Sequence, residues 1–518
     1  MSKSRRRIAH AALLASASFL SLTIASPAQA QCVPTPTQPL NNITTDSTVV
    51  SCTGSVNGPV ITVNANGTNV DTNGSGTFVT GANINVTGNS NVVQVRNGAV
   101  LNGSQITLTG AGNTVLYGGG AISNGSIVNI SGANSQLLFL SGSQVTQNPG
   151  QTTISALAGE QNTILISAGG GLFTTGGNGQ YLLVGGTGNQ NVQIEGFLVA
   201  PSDGLAISLG DGDDRIDIGS SANISTQASG AALFDGGAGN DIFSININGS
   251  WIHDTVGFEI ININPNTAIT LTGSNVDAVQ FNVQGGSVTV TSGAALGVAN
   301  STVDIGQFGT LTLGYTASAS FDNTLTGSGG LKVDASGATI TFGGNGSGYT
   351  GAVNITNGTT AVLGNANAVG AGAITNDGTI SWGDFNLAND IGGTGGLIYT
   401  GVGTGDLSGA NSFSGGIDIQ SGSLRVTNVG ALGTGTITTT TGGVILQMDT
   451  SGNQVLANNL TGALVLAKTS GGILDVTGTN TYTGGTLIDD GAIRVDDFAR
   501  LGTGQVIANA NGSLILNY

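Results

Sequence analysis

The sequence predicts an all-β fold: a right-handed parallel β-helix, or β-solenoid, drawn out into an elongated rod behind a cleaved leader. Three observations predict it. Only 8% of the 518 residues are charged and 5% aromatic, yet 39% are hydrophobic. Ordinary globular domains carry about 25% charged residues, and disordered chains combine high charge with low hydrophobicity, so neither class fits. The 89 glycines, together with abundant Val, Ile, Thr, Asn and Ser, suit short β-branched strands broken by tight turns. Finally, a glycine recurs at a nearly constant interval along the chain, each time after a short alternating apolar run.

The first thirty residues read as a leader. Lys3, Arg5, Arg6 and Arg7 precede the apolar run "AALLASASFLSLTIA", and "SPAQA" places Ala28 and Ala30 where a signal peptidase reads small side chains. The run is short and broken by Ser and Thr, unlike a membrane span. Gln31 stands directly before Cys32, where lipoprotein processing requires a small residue. Cleavage after Ala30 removes 30 of 518 residues and leaves 488. It also removes four of eleven basic residues and no acidic one, so 7 basic against 28 acidic residues give the mature chain a net charge of −21. Such a surface repels nucleic acid and anionic headgroups, and no nucleic-acid partner is expected. Cys32 and Cys52 are the two cysteines. In an oxidising compartment a Cys32–Cys52 bond would close a short N-terminal loop, with two unrelated thiols as the alternative.

Residues 31–320 form the first repeat region. "INVTGNSNVV", "ITLTGAGNTV" and "IVNISGANSQ" place Gly88, Gly110 and Gly132 at intervals of 22. The Gly-x-x-Asn pattern continues at Gly159, Gly186, Gly210 and Gly237, with intervals of 27, 27, 24 and 27 and with Ser135 and Asp213 standing in for Asn at two rungs. Stacking such coils at the ~4.8 Å strand spacing piles inward side chains into one apolar column and lets a corner Asn bond its own turn and its counterpart above. About twenty coils would make a rod on the order of 100 Å long.

Two corners are acidic. "LGDGDDRIDIG" (209–219) and "DGGAGNDIFSININ" (235–248) align 27 residues apart, setting Asp214 over Asp241, Ile216 over Phe243 and Ile218 over Ile245. Stacked carboxylates repel, and a cation would relieve them. Residues 236–244 fit the nonapeptide GGxGxDxUx, and 209–217 fit it with Leu209 in place of the first glycine, so the pair resembles the calcium-binding β-roll of the RTX family. The resemblance implies calcium ligands at Asp211, Asp213, Asp214, Asn240 and Asp241, with calcium as the sole cofactor to consider. It is partial, because that family uses tandem nonapeptides and here eighteen residues separate the matches. A solvated acidic corner is the competing reading.

Residues 321–518 change style. Three segments, 346–374, 410–437 and 478–506, each place an aromatic (Tyr349, Phe413, Tyr482) before a small hydroxyl residue and glycine. A strand, a glycine turn, a second strand and "LGTG" or "VGAG" follow. They resemble the autotransporter-associated β-strand repeat, N-x-[YF]-[ST]-G-G followed by G-x-L and A-L-G, with Ala352 replacing the second glycine in the first copy. The resemblance implies a type V secreted passenger at the cell surface, outer membrane or extracellular space. It also implies an outer-membrane β-barrel translocator as partner, and host, surface or matrix ligands. Such proteins usually end in a barrel of tilted amphipathic strands. This sequence stops at "NGSLILNY" in repeat style, so a truncated or passenger-only chain is expected.

Catalytic signals are sparse. His253, in "SWIHDTVGFEI", is the mature chain's single histidine, and no GxSxG or GDSG surrounds a serine; a turn residue that breaks the repeat is the favoured reading. Asp489 with Asp490, and Asp496 with Asp497, are adjacent in sequence and so point to opposite faces of a strand. "NPNT" at 264–267 lies too far along the chain for the secretion signature of two-partner adhesins. The sequence therefore favours a non-enzymatic, adhesin-like structural rod, with a β-helix lyase or hydrolase acting on polysaccharide as the alternative.

Overall fold

A computed structural model of the chain describes residues 31–35, 39–147, 153–157, 161–174, 179–228 and 230–517. The leader at 1–30 and the glycine at 159 lie outside the described residues. Those described form 56 strands and three short 3-10 turns, with no α-helix among them. The strands stack as a β-solenoid of about 21 turns.

Up to about residue 250 the rod has three faces. Successive strands pass in rotation to a 15-stranded, an 8-stranded and a 9-stranded sheet, each built of parallel neighbours one coil apart. Thr114 pairs with Val92 on one side and Gln136 on the other, so the coil repeats at the interval read from the glycines. Alternation sends every second side chain inward. Val70, Val93, Val115, Leu137, Ile164, Val192, Ile216 and Phe243 form one such column, each 1% exposed or less. At roughly 1.5–3 kcal/mol for each fully buried apolar side chain, this column and its equivalents on the other faces hold the coils together. A charge placed at Leu137 would break the stack there.

The first strand departs from the parallel expectation. Gln31–Thr35 runs antiparallel to Val49–Thr53, with Cys32 directly opposite Cys52; the two form a disulfide, sulfur to sulfur 2.03 Å. A parallel stack leaves its first coil with an unpaired edge. An antiparallel strand needs only a short connection to cover that edge, and Pro34 on it removes one donor from the outer side.

At 223–256 the architecture changes. The 8-stranded sheet ends at Asn223–Thr226, the 9-stranded sheet ends at Asp254–Val256, and a new 8-stranded sheet opens at Gly249–Trp251. The core at this junction is filled with rings. Trp251 lies 5.8 Å from Phe243, 6.0 Å from Phe234 and 4.7 Å edge-on from His253. A 7-stranded sheet then opens at Ala319–Phe321, where the sequence changes style, and a 9-stranded sheet from Asn386–Leu387 carries the chain to Val506–Leu516.

Candidate functional site

The corners carry two hydrogen-bond ladders. On the inner one, a side chain accepts the backbone N–H of the coil before. Asn91 Oδ1 takes the N–H of Thr68 at 2.7 Å, Asn113 that of Asn91 at 2.8 Å, and Asn162 that of Ser135 at 2.8 Å. Further along the rod the rungs turn acidic. Asp214 accepts from Gln190 N at 2.6 Å, Asp241 from Asp214 N at 2.6 Å, and Glu259 from Asp241 N at 2.7 Å. The outer ladder runs the other way: Asp213 N donates to Asn189 Oδ1, and Asp213 Oδ1 accepts from Asn240 N, both at 3.0 Å.

The alignment read for the acidic corners is the observed register, Ile216 on Phe243 and Ile218 on Ile245. The two ladders, however, divide the five predicted calcium ligands. Asp214 and Asp241 point inward, 1% and 0% exposed, while Asp211, Asp213 and Asn240 are exposed on the outer side. No group of three His, Cys, Asp or Glu side chains placed to hold a metal ion occurs among the described residues. Burial pushes the Asp214 carboxyl up to about 7, against the Gln190 N–H bond, which favours ionisation; Asp241, Asp213 and Asp211 raise it further. Burial likewise pushes Asp241 up to about 6, with Glu259, Asp213 and Asp235 adding to it and the Asp214 N–H opposing. The second oxygen of each is buried without a hydrogen-bond partner. Close coil contact explains the glycines here: a Cβ on Gly239, whose φ is +152°, would collide with the carbonyl oxygen of Gly212. Glu259 is the acidic rung that sequence reasoning missed. It follows Asp241 after a shortened coil with no Gly-x-x-Asn around it, so the corner pattern could not find it.

His253 lies in the two-residue corner between Gly249–Trp251 and Asp254–Val256, as the sequence reading placed it. It is buried, and its Nδ1 accepts the Ala232 N–H at 2.9 Å, as Ser104 accepts from Ala82 at 3.0 Å earlier on the same sheet. Burial lowers its pKa. Its Nδ1 is thus committed to the backbone as an acceptor. The paired aspartates are also occupied. Asp489 accepts from the Asn509 amide, Asp490 from Gly491 N, Asp496 pairs with Arg500, and Asp497 caps Ala499 N.

The clearest repeated constellation lies toward the C-terminal end, in two copies. Asn411 accepts from Ile391 N at 2.8 Å and donates to the Ala431 carbonyl at 2.7 Å; Asn480 does the same with Leu460 N and the Arg500 carbonyl, both at 2.7 Å. Arg425 forks onto Asp406, and Arg494 onto Asp475. Phe413 and Tyr482 are fully buried. Beyond each comes a 3-10 turn, Val429–Leu432 capped by Asn428 and Phe498–Leu501 capped by Asp497. Asn389 and Asn458, at matching places in the two copies, donate to Gly370 with Gly372 and to Gly433 with Gly435, the carbonyls of the "VGAG" and "LGTG" turns. The Asn before the aromatic is therefore a bracket between coils, one amide tying three of them.

Residues 397–426 and 466–495 match the passenger-associated-transport-repeat family. These segments overlap the second and third of the three copies read from the sequence. Comparison with curated proteins finds no match.

Proposed function

We propose that this chain, whose repeats and solenoid are those of an autotransporter passenger, is exported by its leader and displayed or released at the cell surface as a non-enzymatic, adhesin-like rod. One observation carries the reading. In both matched repeats the polar side chains (Asn411 and Asn480, Arg425 and Arg494) are spent on joining one coil to the next. Such groups build length, and length presents weak contacts many times over. The enzymatic reading has less support, because the residues it would use, His253 and the aspartate pairs, already hold structural bonds. The partner implied by the repeats is an outer-membrane β-barrel that threads the chain outward, after which folding proceeds coil on coil.

The test is display of the chain ahead of a β-barrel translocator on bacterial cells. Antibody should label intact cells, and attachment to matrix-coated surfaces should fall stepwise as blocks of coils are removed. Release of sugars from a polysaccharide panel would overturn the non-enzymatic reading, and labelling only after lysis would overturn the displayed one.

A further inference from the structure

Where one face of the rod breaks, between the sheet that ends at Asn223–Thr226 and the one that opens at Gly249–Trp251, a cleft of about 310 Å³ opens to solvent. Its lining comes from two successive corners and the strands they lead into, within 218–224 and 247–253. The side chains of Ser220, Asn223 and Ser250 are exposed there and form no hydrogen bond among the described residues. Asn248 Oδ1 accepts from the Thr267 N–H and hydroxyl, which leaves the donors of its amide free. Trp251, also in the lining, is 2% exposed, and its indole N–H is buried without a partner. No Asp, Glu, Lys or Arg lines the cleft.

An aromatic pair leads up to the cleft along the same face. Phe197 pairs in register with Asn223, so at the backbone it stands one strand spacing, ~4.8 Å, from a cleft residue. Its ring points outward and is 43% exposed. Phe173 braces it, with ring centroids 6.5 Å apart and planes at 24°. Phe173 reaches it across Gly171, the register partner of Phe197 on the preceding coil. A Cβ on Gly171 would stand 2.4 Å from the Phe173 ring, so the bare glycine is what lets one outward ring fold onto the next. Glu195, two residues before Phe197, is held by the Ser221 hydroxyl at 2.7 Å.

We propose that the cleft and the Phe197 ring together bind a neutral oligosaccharide, one sugar unit in the cleft and the next against Phe197. Free hydroxyls and amides, clustered without an ionisable side chain among them, match the hydroxyls of a sugar, and the C–H face of a sugar packs on an exposed aromatic ring. A buried donor left unpaired is costly, and a sugar oxygen seated beside Trp251 would pair with its indole N–H. The volume is at the small end for a ligand cleft, which suits a single sugar ring whose neighbour continues over the surface. The ligand is uncharged because an acidic glycan would approach a chain of net charge −17 and find no cation in the cleft to receive it. The inference deepens the adhesin-like reading by naming a class of ligand, and it rests on that reading for the use the binding would serve.

The probes are short neutral oligosaccharides of glucose, galactose, mannose and N-acetylglucosamine, each added to the purified, unaltered chain. The concentration is about 10 mM, roughly ten times the dissociation constant expected of a few neutral hydrogen bonds and one ring contact. At least one probe should slow amide exchange about tenfold at 218–224 and 247–253 and leave distant coils as they were. Phe197→Ala removes a ring that lies outside the core, and it should weaken binding of that probe roughly threefold to tenfold. Phe308→Ala, at a position 80% exposed elsewhere on the rod, should leave binding unchanged. An acidic counterpart, oligogalacturonate, should not slow exchange. No slowing by any neutral probe would overturn the proposal. So would equal binding by wild type and Phe197→Ala, or slowing by oligogalacturonate alone. The assay needs neither secretion nor display, so its failure leaves the displayed rod standing, and a failure of display does not touch it.

Discussion

Replacing Asp241 by Asn should stabilise the middle of the rod at pH 8 and leave it nearly unchanged at pH 4. The wild-type carboxyl is pushed up to about 6 from an ordinary 3.8, chiefly by burial, which is about a hundredfold in proton affinity, or about 3 kcal/mol. A carboxyl that binds its proton more tightly when folded is uncharged in both states below pH ~4, and there nothing is lost. Stability then falls as pH rises from about 4 through about 6, because the unfolded chain ionises first, and above that window the loss is constant. Asp214, pushed up to about 7, extends the decline by about one pH unit. Asparagine keeps the oxygen that accepts from Asp214 N and removes the charge. Its amide also offers donors where the carboxylate has an orphaned oxygen, as Asn113 does to Gly88 and Gly110. The expected gain at pH 8 is on the order of 1–3 kcal/mol, against under about 0.5 kcal/mol at pH 4. A repeat array need not melt as one unit, so the readout is amide exchange of residues 214–245 across pH 4–8. Wild-type protection that rises between pH 5 and 8, or an Asp241→Asn variant that is neutral or worse at pH 8, would refute the reasoning.

Other expectations can be checked together. Calcium at millimolar levels should leave exchange at 209–245 unchanged, since Asp214 and Asp241 face inward and Asp211, Asp213 and Asn240 outward; a calcium-dependent slowing abolished by Asp213→Ala would instead support the ligand reading. Asn480→Ala should loosen 458–500 by about 1–3 kcal/mol, because it orphans Leu460 N and the Arg500 carbonyl together. Arg494→Ala should cost clearly less than Asn480→Ala, as its pairing with Asp475 is exposed and solvent-screened; urea melts followed by limited proteolysis would rank the two. Reduction of Cys32–Cys52 should speed exchange at 31–53 and leave coils beyond about residue 115 as they were, since coupling passes only between neighbours.

What could be read from the sequence was whatever recurs. The regular glycine intervals gave the register, because each corner glycine faces the same close backbone contact one coil later, and Asp214 over Asp241 followed from it. Tyr349, Phe413 and Tyr482 were legible as a recurring aromatic, and the structure buries all three. What escaped was whatever happens once. Glu259 supplies an inner rung without the corner motif around it. His253 was legible as a corner residue, but its bond to Ala232 N was not, because no earlier histidine marks its place, although Ser104 holds the equivalent bond. The antiparallel first strand answers an end effect, and no interval within the array encodes it.

The repeat fixes backbone more firmly than it fixes side chains, and one pair of positions argues the point. Tyr399 and Lys468 occupy the same place in the two matched segments, and both are buried. The Tyr399 hydroxyl bonds Asp384 at 2.7 Å and lies 3.2 Å from the Gly403 carbonyl. Lys468 donates to the carbonyls of Thr450, Ser470 and Gly471, bonds that answer the burial which lowers its pKa. A phenol and an ammonium thus do one task, tying down the turn that follows their strand, and the coil accepts either because each of these two tips finds main-chain or carboxylate partners. Side-chain chemistry inside such a stack is constrained only to satisfy the turn, so it encodes little about a partner. Recognition has to come from outward residues repeated along the rod, or from a place where one face of the stack breaks, as at 223–251, where the strands on the other two faces stay paired.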